Sequence, residues 1–156
     1  MLEPLPAERT AIGCRWLFRR KEDGCYKARL VAKGYSQKQG IDYQEIFAPV
    51  AKFTTIQMLL VVGCESDWEI QGMDIKTAFL NSELEETVYL EVPEGVLIPS
   101  PPATPEYQPP ITCRLLKSIY GLKQSPRAWY SRIDKFFRSN TFTRCDTDHS
   151  LFINYE

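Results

Sequence analysis

The order of apolar and polar positions along the 156-residue chain divides it into a short series of elements. Two β-prone runs, "CRWLFRR" and "YKARLVAKG", flank Asp23-Gly24, a strong signal for a tight hairpin turn. In the second run the period is two. Tyr26, Ala28, Leu30 and Ala32 share one face, while Lys27, Arg29 and Lys33 share the other with Val31. Further on, "GIDYQEIFAPVAKF" is turn-rich, and Pro49 breaks any helix there. A helix is expected through "IQMLLVVGCES", with Thr54 or Thr55 as its N-cap. Its apolar residues run nearly all the way round, so it is expected to be buried.

Residues 68–75 form an apolar run that reads as a half-buried strand carrying Asp74 near its end, and 76–84 read as helical. A second strand follows, in which Val88, Leu90 and Val92 alternate with Tyr89 and Glu91. Seven of the eleven prolines lie in "PEGVLIPSPPATPEYQPP", which predicts an extended loop over 93–110, read as a tolerated surface insertion. Ser125-Pro126 then opens a helix, because proline is accepted in the first turn. Trp129, Ile133 and Phe136 recur along it at i, i+4 and i+7, a stripe that packs on a sheet. A turn and a short strand over 150–155 end the series. With no internal repeats, this order predicts an α+β domain with helices on one face of a mainly antiparallel sheet.

Composition narrows the picture. A length of 156 residues suits one domain with a sizeable core, and 44% hydrophobic with 25% charged residues is ordinary for a globular chain. The net charge of −1 leaves no general basic field, so any attraction for nucleic acid must be local. The hairpin is such a place: Arg15, Arg19, Arg20, Lys21, Lys27, Arg29 and Lys33 stand there against Glu22 and Asp23. No stretch approaches the roughly 18 apolar residues of a membrane span, so no membrane partner is expected. The opening "MLEPLPAERT" lacks the features of a secretory signal. Cys14, Cys25, Cys64, Cys113 and Cys145 are odd in number and form no C-x-x-C pair, which fits reduced thiols in an intracellular protein. His149 has no ligand pair beside it and reads as a surface or core histidine.

Candidate chemistry centres on Asp74. A carboxylate at the open end of a strand suits a hard cation such as Mg²⁺, which takes oxygen ligands and keeps waters and phosphates. The basic hairpin offers cations for a triphosphate, and the Tyr120-Gly121 turn lets a base or sugar approach the backbone. Each signal has an ordinary alternative: a capping acid, a solvated basic face, a turn glycine. Two-metal catalysis also needs more than one carboxylate. The residues by themselves lead to a nucleotide or nucleic-acid binder, with phosphoryl transfer as one option.

The strings are more specific than their physics. "KARLVAKGYSQKQGIDYQEIFAPVAKFTTIQMLL", "QGMDIKTAFLNSELEETVYLEVPEG" and "CRLLKSIYGLKQSPRAWYSRIDKFF", followed by "DHSLFI", occur in this order and spacing. From about residue 12 to 153 the chain resembles the reverse transcriptase region of copia-type retrotransposon polyproteins. The resemblance implies part of a right-hand polymerase, a single partial reverse transcriptase domain over 1–156. Fingers would occupy roughly 1–67 and 96–124, with a palm over roughly 68–95 and 125–156. It implies RNA-directed DNA synthesis by two-metal phosphoryl transfer with Mg²⁺, or Mn²⁺ in its place. The implied partners are an RNA template, a DNA primer, deoxynucleoside triphosphates and the rest of the Pol polyprotein.

Carried over by motif, Asp74 is the first catalytic metal ligand, and Ile75 lends its backbone carbonyl to the metal. Phe79 resembles the aromatic gate that selects deoxyribose. Arg29 resembles the fingers arginine over the triphosphate, with Lys21 and Lys27 as looser members of that cluster. The resemblance also implies that Tyr120 and Gly121 lie beside the incoming base and that Lys123 reaches template phosphate. The family's Tyr-x-Asp-Asp hairpin does not occur in these 156 residues, and Asp146 and Asp148 stand in a different place. The expectation is that this chain alone is not a competent polymerase and that its last strand has an open edge. The alternatives are a non-catalytic nucleic-acid-binding remnant or a decayed transposon relic. Family products of this kind work in cytoplasmic particles, and their DNA enters the nucleus.

Overall fold

A computed structural model describes residues 1–98 and 109–155. Most of the loop expected over 93–110 therefore lies outside the described residues. Among those described, the strands are β1 (Leu2–Pro4), β2 (Cys14–Arg20), β3 (Tyr26–Ala32), β4 (Tyr89–Glu91), β5 (Ile111–Arg114), β6 (Thr143–Arg144) and β7 (Phe152–Ile153). Two α-helices accompany them, α1 (Phe53–Glu65) and α2 (Ser125–Ser139). The class is α+β with antiparallel pairing, as the pattern of elements predicts. In place of one sheet there are three: β1-β5-β4, the hairpin β2-β3, and the ribbon β6-β7. β1 and β5, which join β4, carry too few alternating positions to be read from the sequence.

The hairpin forms where Asp23-Gly24 places it, with Gly24 at φ 83° and Arg20 paired with Tyr26 beside the turn. Only its base is buried. The core consists of Ile12, Ala32, Val88, Leu90, Ile119 and Leu122. Ile12 ties the hairpin's entry to β4, since its amide donates to Tyr89 O (2.8 Å) and its carbonyl accepts from Glu91 N (2.9 Å). The strand expected across 88–92 shortens to β4, and its neighbours cover both sides: Val88 is 0%, Tyr89 7% and Leu90 1% exposed.

Helix α2 begins at Ser125 with Pro126 in its first turn. Buried hydroxyls bind that turn to the preceding loop: Ser118 Oγ donates to Ser125 Oγ, which donates to Ile119 O, both at 2.5 Å. The apolar stripe differs by one position from the expected one. Phe136 is exposed, while Phe137 stacks on Phe152 with centroids 4.8 Å apart. A helix turn of 3.6 residues lets either position continue the row from Ile133, and the partner at Phe152 selects Phe137.

Three expectations fail. Residues 68–75 form no strand, and Trp68, Ile70 and Met73 are exposed. Alternation can offer a face, but a strand needs a ladder partner, and none of the described residues supplies one. Residues 76–84 hold a single 3₁₀ turn, Ala78–Asn81, entered through Thr77 at φ 53°. Helix α1 forms where expected, yet it is largely solvent-exposed and buries only Gly63, over which Trp68 and Ile70 lie.

The cap of α1 differs as well. Lys52 occupies the N-cap, and neither Thr54 nor Thr55 does. Asp148, from the turn before β7, accepts the Lys52 amide through Oδ2 (3.0 Å) and the Ser150 amide through Oδ1 (2.9 Å). A carboxylate distant in sequence thus does the capping work. Likewise β7 is shorter than the strand expected over 150–155, because β6 offers only two residues to pair with it. All five cysteines are unpaired. No helix among the described residues is long and apolar enough to cross a membrane.

The amides of Lys52 and Ser150 and the Thr55 hydroxyl hold the Asp148 carboxyl below its ordinary range. A depressed folded-state pKa contributes stability that is present above the unfolded value, about 3.9, and lost as pH falls through the folded one. Asp148→Asn should therefore lower the urea midpoint at neutral pH. It should also flatten the midpoint's decline below about pH 4. Urea unfolding of both proteins across that range checks this.

Candidate active site

A cleft of about 780 Å³ opens between the hairpin, the 74–80 segment and the turn at 119–120. Asp74, Ile75, Lys21, Lys27, Arg29 and Tyr120 all line it. Residues from three separate parts of the chain, singled out by sequence, therefore meet in one place. The reason is the attachment of the hairpin's base to the loop before α2. Ala32 N donates to Tyr120 O at 2.8 Å, and Val31 pairs with Tyr120 in a parallel bridge. Gly121, at φ +93°, has the Ala32 carbonyl where a Cβ would stand, and Gly34 likewise has the Gly121 carbonyl there. These two glycines let the backbones touch.

Tyr120 is the centre of a short stack. The Arg29 guanidinium carbon lies 5.5 Å from its ring centre. On its other neighbour, Phe79 meets it edge-on with centroids 5.0 Å apart. Phe79 itself lines an adjacent apolar pocket of about 370 Å³ with Trp129, Ile133 and Phe137, so its ring stands beside the cleft and not in its wall. Gly121 belongs to the backbone crossing. Lys123 is also outside the cleft: its amide donates to Gln37 Oε1 (2.7 Å), and its ammonium rests 5.0 Å from the Tyr43 ring centre.

The electrostatics favour an anion. Asp74 is the acid of the cleft lining, against Lys21, Lys27, Arg29 and Lys76. Lys21 is partly engaged by Asp23 at 3.9 Å. Asp74 is exposed and is not the end of a paired strand, which corrects the setting that the sequence implied for it. Its carboxylate and the Ile75 carbonyl are the right donor types for Mg²⁺. Among the described residues, however, no group of three His, Cys, Asp or Glu side chains could hold a metal ion. The residues present do not complete a two-metal site. Trp16, Lys76 and Leu80 also line the cleft and were not singled out by sequence. Lys76 falls inside the same "MDIKTAF" string and so had a readable signal, whereas Trp16 is set opposite Leu30 by the strand register alone.

Comparison with known proteins gives the family. The family profile described as "Reverse transcriptase (RNA-dependent DNA polymerase)" matches residues 1–156, and the chain belongs to that family. Its relatives include the retrovirus-related Pol polyprotein from transposon TNT 1-94 of Nicotiana tabacum. The two are 42% identical over 156 residues, covering 97% of this chain and 11% of that protein. The Pol polyproteins from transposons RE2 and RE1 of Arabidopsis thaliana are 42% and 40% identical, each over 98% of this chain and 10% of theirs. These relatives are copia-type Pol polyproteins. The chain thus spans about a tenth of the length of the relatives it matches. No solved structure gives a significant match.

The Arg29–Tyr120 contact generates a stability test. Half-exposed cation–π pairs contribute about 0.5–1 kcal/mol. A double-mutant cycle of Arg29→Ala and Tyr120→Leu, followed by urea unfolding, should show a favourable coupling of about that size.

Proposed function

We propose that the Asp74 cleft is the deoxynucleotide-binding part of a reverse transcriptase that works within a longer Pol polyprotein on an RNA template and a DNA primer. The observation that carries this reading is the shared cleft: one motif aspartate faces Lys21, Lys27 and Arg29 across a space of about 780 Å³. In this reading the three cations hold the triphosphate, which phosphoryl-transfer sites require because charge stabilisation supplies most of their catalysis. Tyr120 and Gly121 border the incoming base, and the edge contact of Phe79 with Tyr120 supports Phe79 as the sugar gate. Lys123 is assigned to template phosphate. The hairpin and the loop before α2 then belong to the fingers, roughly 1–67 and 96–124, and Asp74 and α2 to the palm, roughly 68–95 and 125–156.

Asp74 and the Ile75 carbonyl would hold Mg²⁺, or Mn²⁺ in its place, whose chemistry in the family is activation and charge neutralisation in phosphoryl transfer. The 156-residue chain by itself does not extend a primer in this reading, since the cleft lining offers one carboxylate. A second reading, a nucleic-acid binder without catalysis, is favoured by Arg15, Arg19 and Arg20 of the hairpin, which form no ion pair with a carboxylate among the described residues.

Calorimetric titration with dTTP tests the site. Binding should weaken about 10- to 100-fold in Arg29→Ala, the loss of one charge-assisted contact. Binding unaffected by that change would contradict the assignment. Primer extension on an RNA template with Mg²⁺ or Mn²⁺ should give no product from the wild-type chain. Robust synthesis that Asp74→Ala abolishes would overturn the incompleteness of the site.

A further inference from the structure

The apolar pocket of about 370 Å³ beside the cleft has no charged side chain among the described residues that line it. Helix α2 supplies one wall. Trp129, Ile133 and Phe137 recur along it at i, i+4 and i+8, a spacing that sets them in a row on one helix face. Phe152 of β7, the loop at residues 48–50 and the Phe79 ring complete the lining. Pro49 and Pro126 add further ring surface and bring no N–H group.

Several of these walls are held by residues outside the lining. Phe137, stacked on Phe152, also meets Phe142 edge-on with centroids 5.2 Å apart. The Tyr130 hydroxyl donates to His149 O at 2.8 Å and accepts from Arg144 Nη1 at 3.1 Å, so the largest polar group of the lining is already engaged. The Ser150 amide is taken up by Asp148. Collapse of the walls onto each other would break these contacts, so the space is preformed, as small-molecule sites usually are. It offers ring faces and edges and little hydrogen bonding. On the cleft side stands Phe79, whose ring meets Tyr120 edge-on with centroids 5.0 Å apart. A molecule seated on Phe79 is therefore one ring away from Tyr120.

We propose that this pocket binds an uncharged, planar aromatic molecule of about two fused rings, and that Phe79 transmits its presence to Tyr120. The volume sets the size, since about 370 Å³ lies near the lower end of the roughly 300–1,000 Å³ of small-molecule pockets. The walls set the chemistry. Rings pair with rings edge-to-face or in offset stacks, a geometry that an alkyl chain does not reproduce. A phosphate or carboxylate would enter without a counter-charge and lose its hydration. Binding here does not require that the Asp74 cleft take a nucleotide.

NMR titration of the full chain with 2-naphthol, with ¹³C in the isoleucine methyls and tyrosine rings, tests it. Ile133 and Tyr120 should shift together and saturate, while Ile56 on the exposed face of α1 stays in place. 2-Naphthoate should bind at least about 10-fold more weakly, because its carboxylate has no partner in the pocket. 1-Decanol should also bind more weakly than 2-naphthol. Ala48→Leu, which adds bulk to the lining, should abolish the Ile133 shift. Phe79→Leu should keep the Ile133 shift and remove the one at Tyr120. Should either variant fail to fold, the ranking of the three probes on the wild-type chain still decides. No saturable shift at Ile133 up to the solubility of 2-naphthol would overturn the proposal, as would equal binding of 2-naphthoate or 1-decanol. Shifts spread over Ile56 and Ile70 would replace it with unspecific adhesion to the apolar surface of α1. A Tyr120 shift that persists in Phe79→Leu would overturn the transmission through Phe79.

Discussion

Everything at the cleft depends on one place where two backbones touch. The amide of Ala32 donates to the carbonyl of Tyr120 at 2.8 Å, and glycines at 34 and 121 make room for the approach. Ala32, Ile119 and Leu122 of the same crossing lie in the apolar core. Burial of these side chains excludes water from the hydrogen bond, and the hydrogen bond sets the height at which the hairpin leaves the core. Beyond this anchor the hairpin is an exposed two-stranded ribbon, which has little stability of its own. Its cations can face Asp74 because its base is held here.

The charge pattern follows from that anchoring. The chain as a whole is close to neutral, but seven of its 19 Lys and Arg residues lie between 15 and 33, on the ribbon and its edges. Each can remain hydrated there at little cost, whereas burial would penalise it. A cleft lined by several Lys and Arg side chains and one carboxylate suits a polyphosphate far better than a bare metal ion. The aromatic residues differ in how they are held. Tyr120 is pinned between Arg29 and Phe79, while Trp16 and Phe18 present open faces.

How much of this was legible depended on whether the signal was local. Asp23-Gly24 and the alternation from Tyr26 to Ala32 contain their own turn and pairing information, and the hairpin appears as read. Ser125-Pro126 likewise fixes the start of α2. Residues 68–75 alternate as well, but their pattern cannot name a partner, and here they stay unpaired and exposed. The apolar circumference of α1 describes what the helix could bury, not what is present to cover it. Asp148 could not be recognised as its cap, since capping by a carboxylate 96 residues away leaves no local trace. At the cleft, family motifs supplied Asp74, Arg29 and Tyr120. Trp16 came only with the strand register.

The central claim is that a nucleotide triphosphate binds where the hairpin faces Asp74. Titration of the ¹⁵N-labelled chain with dTTP, followed by NMR chemical-shift mapping, tests it most directly. The account predicts the largest shifts at the amides of Lys27, Arg29, Asp74, Ile75 and Tyr120. Shifts confined to the Tyr43–Lys123 side, or to α1 and the 68–70 segment, would contradict it.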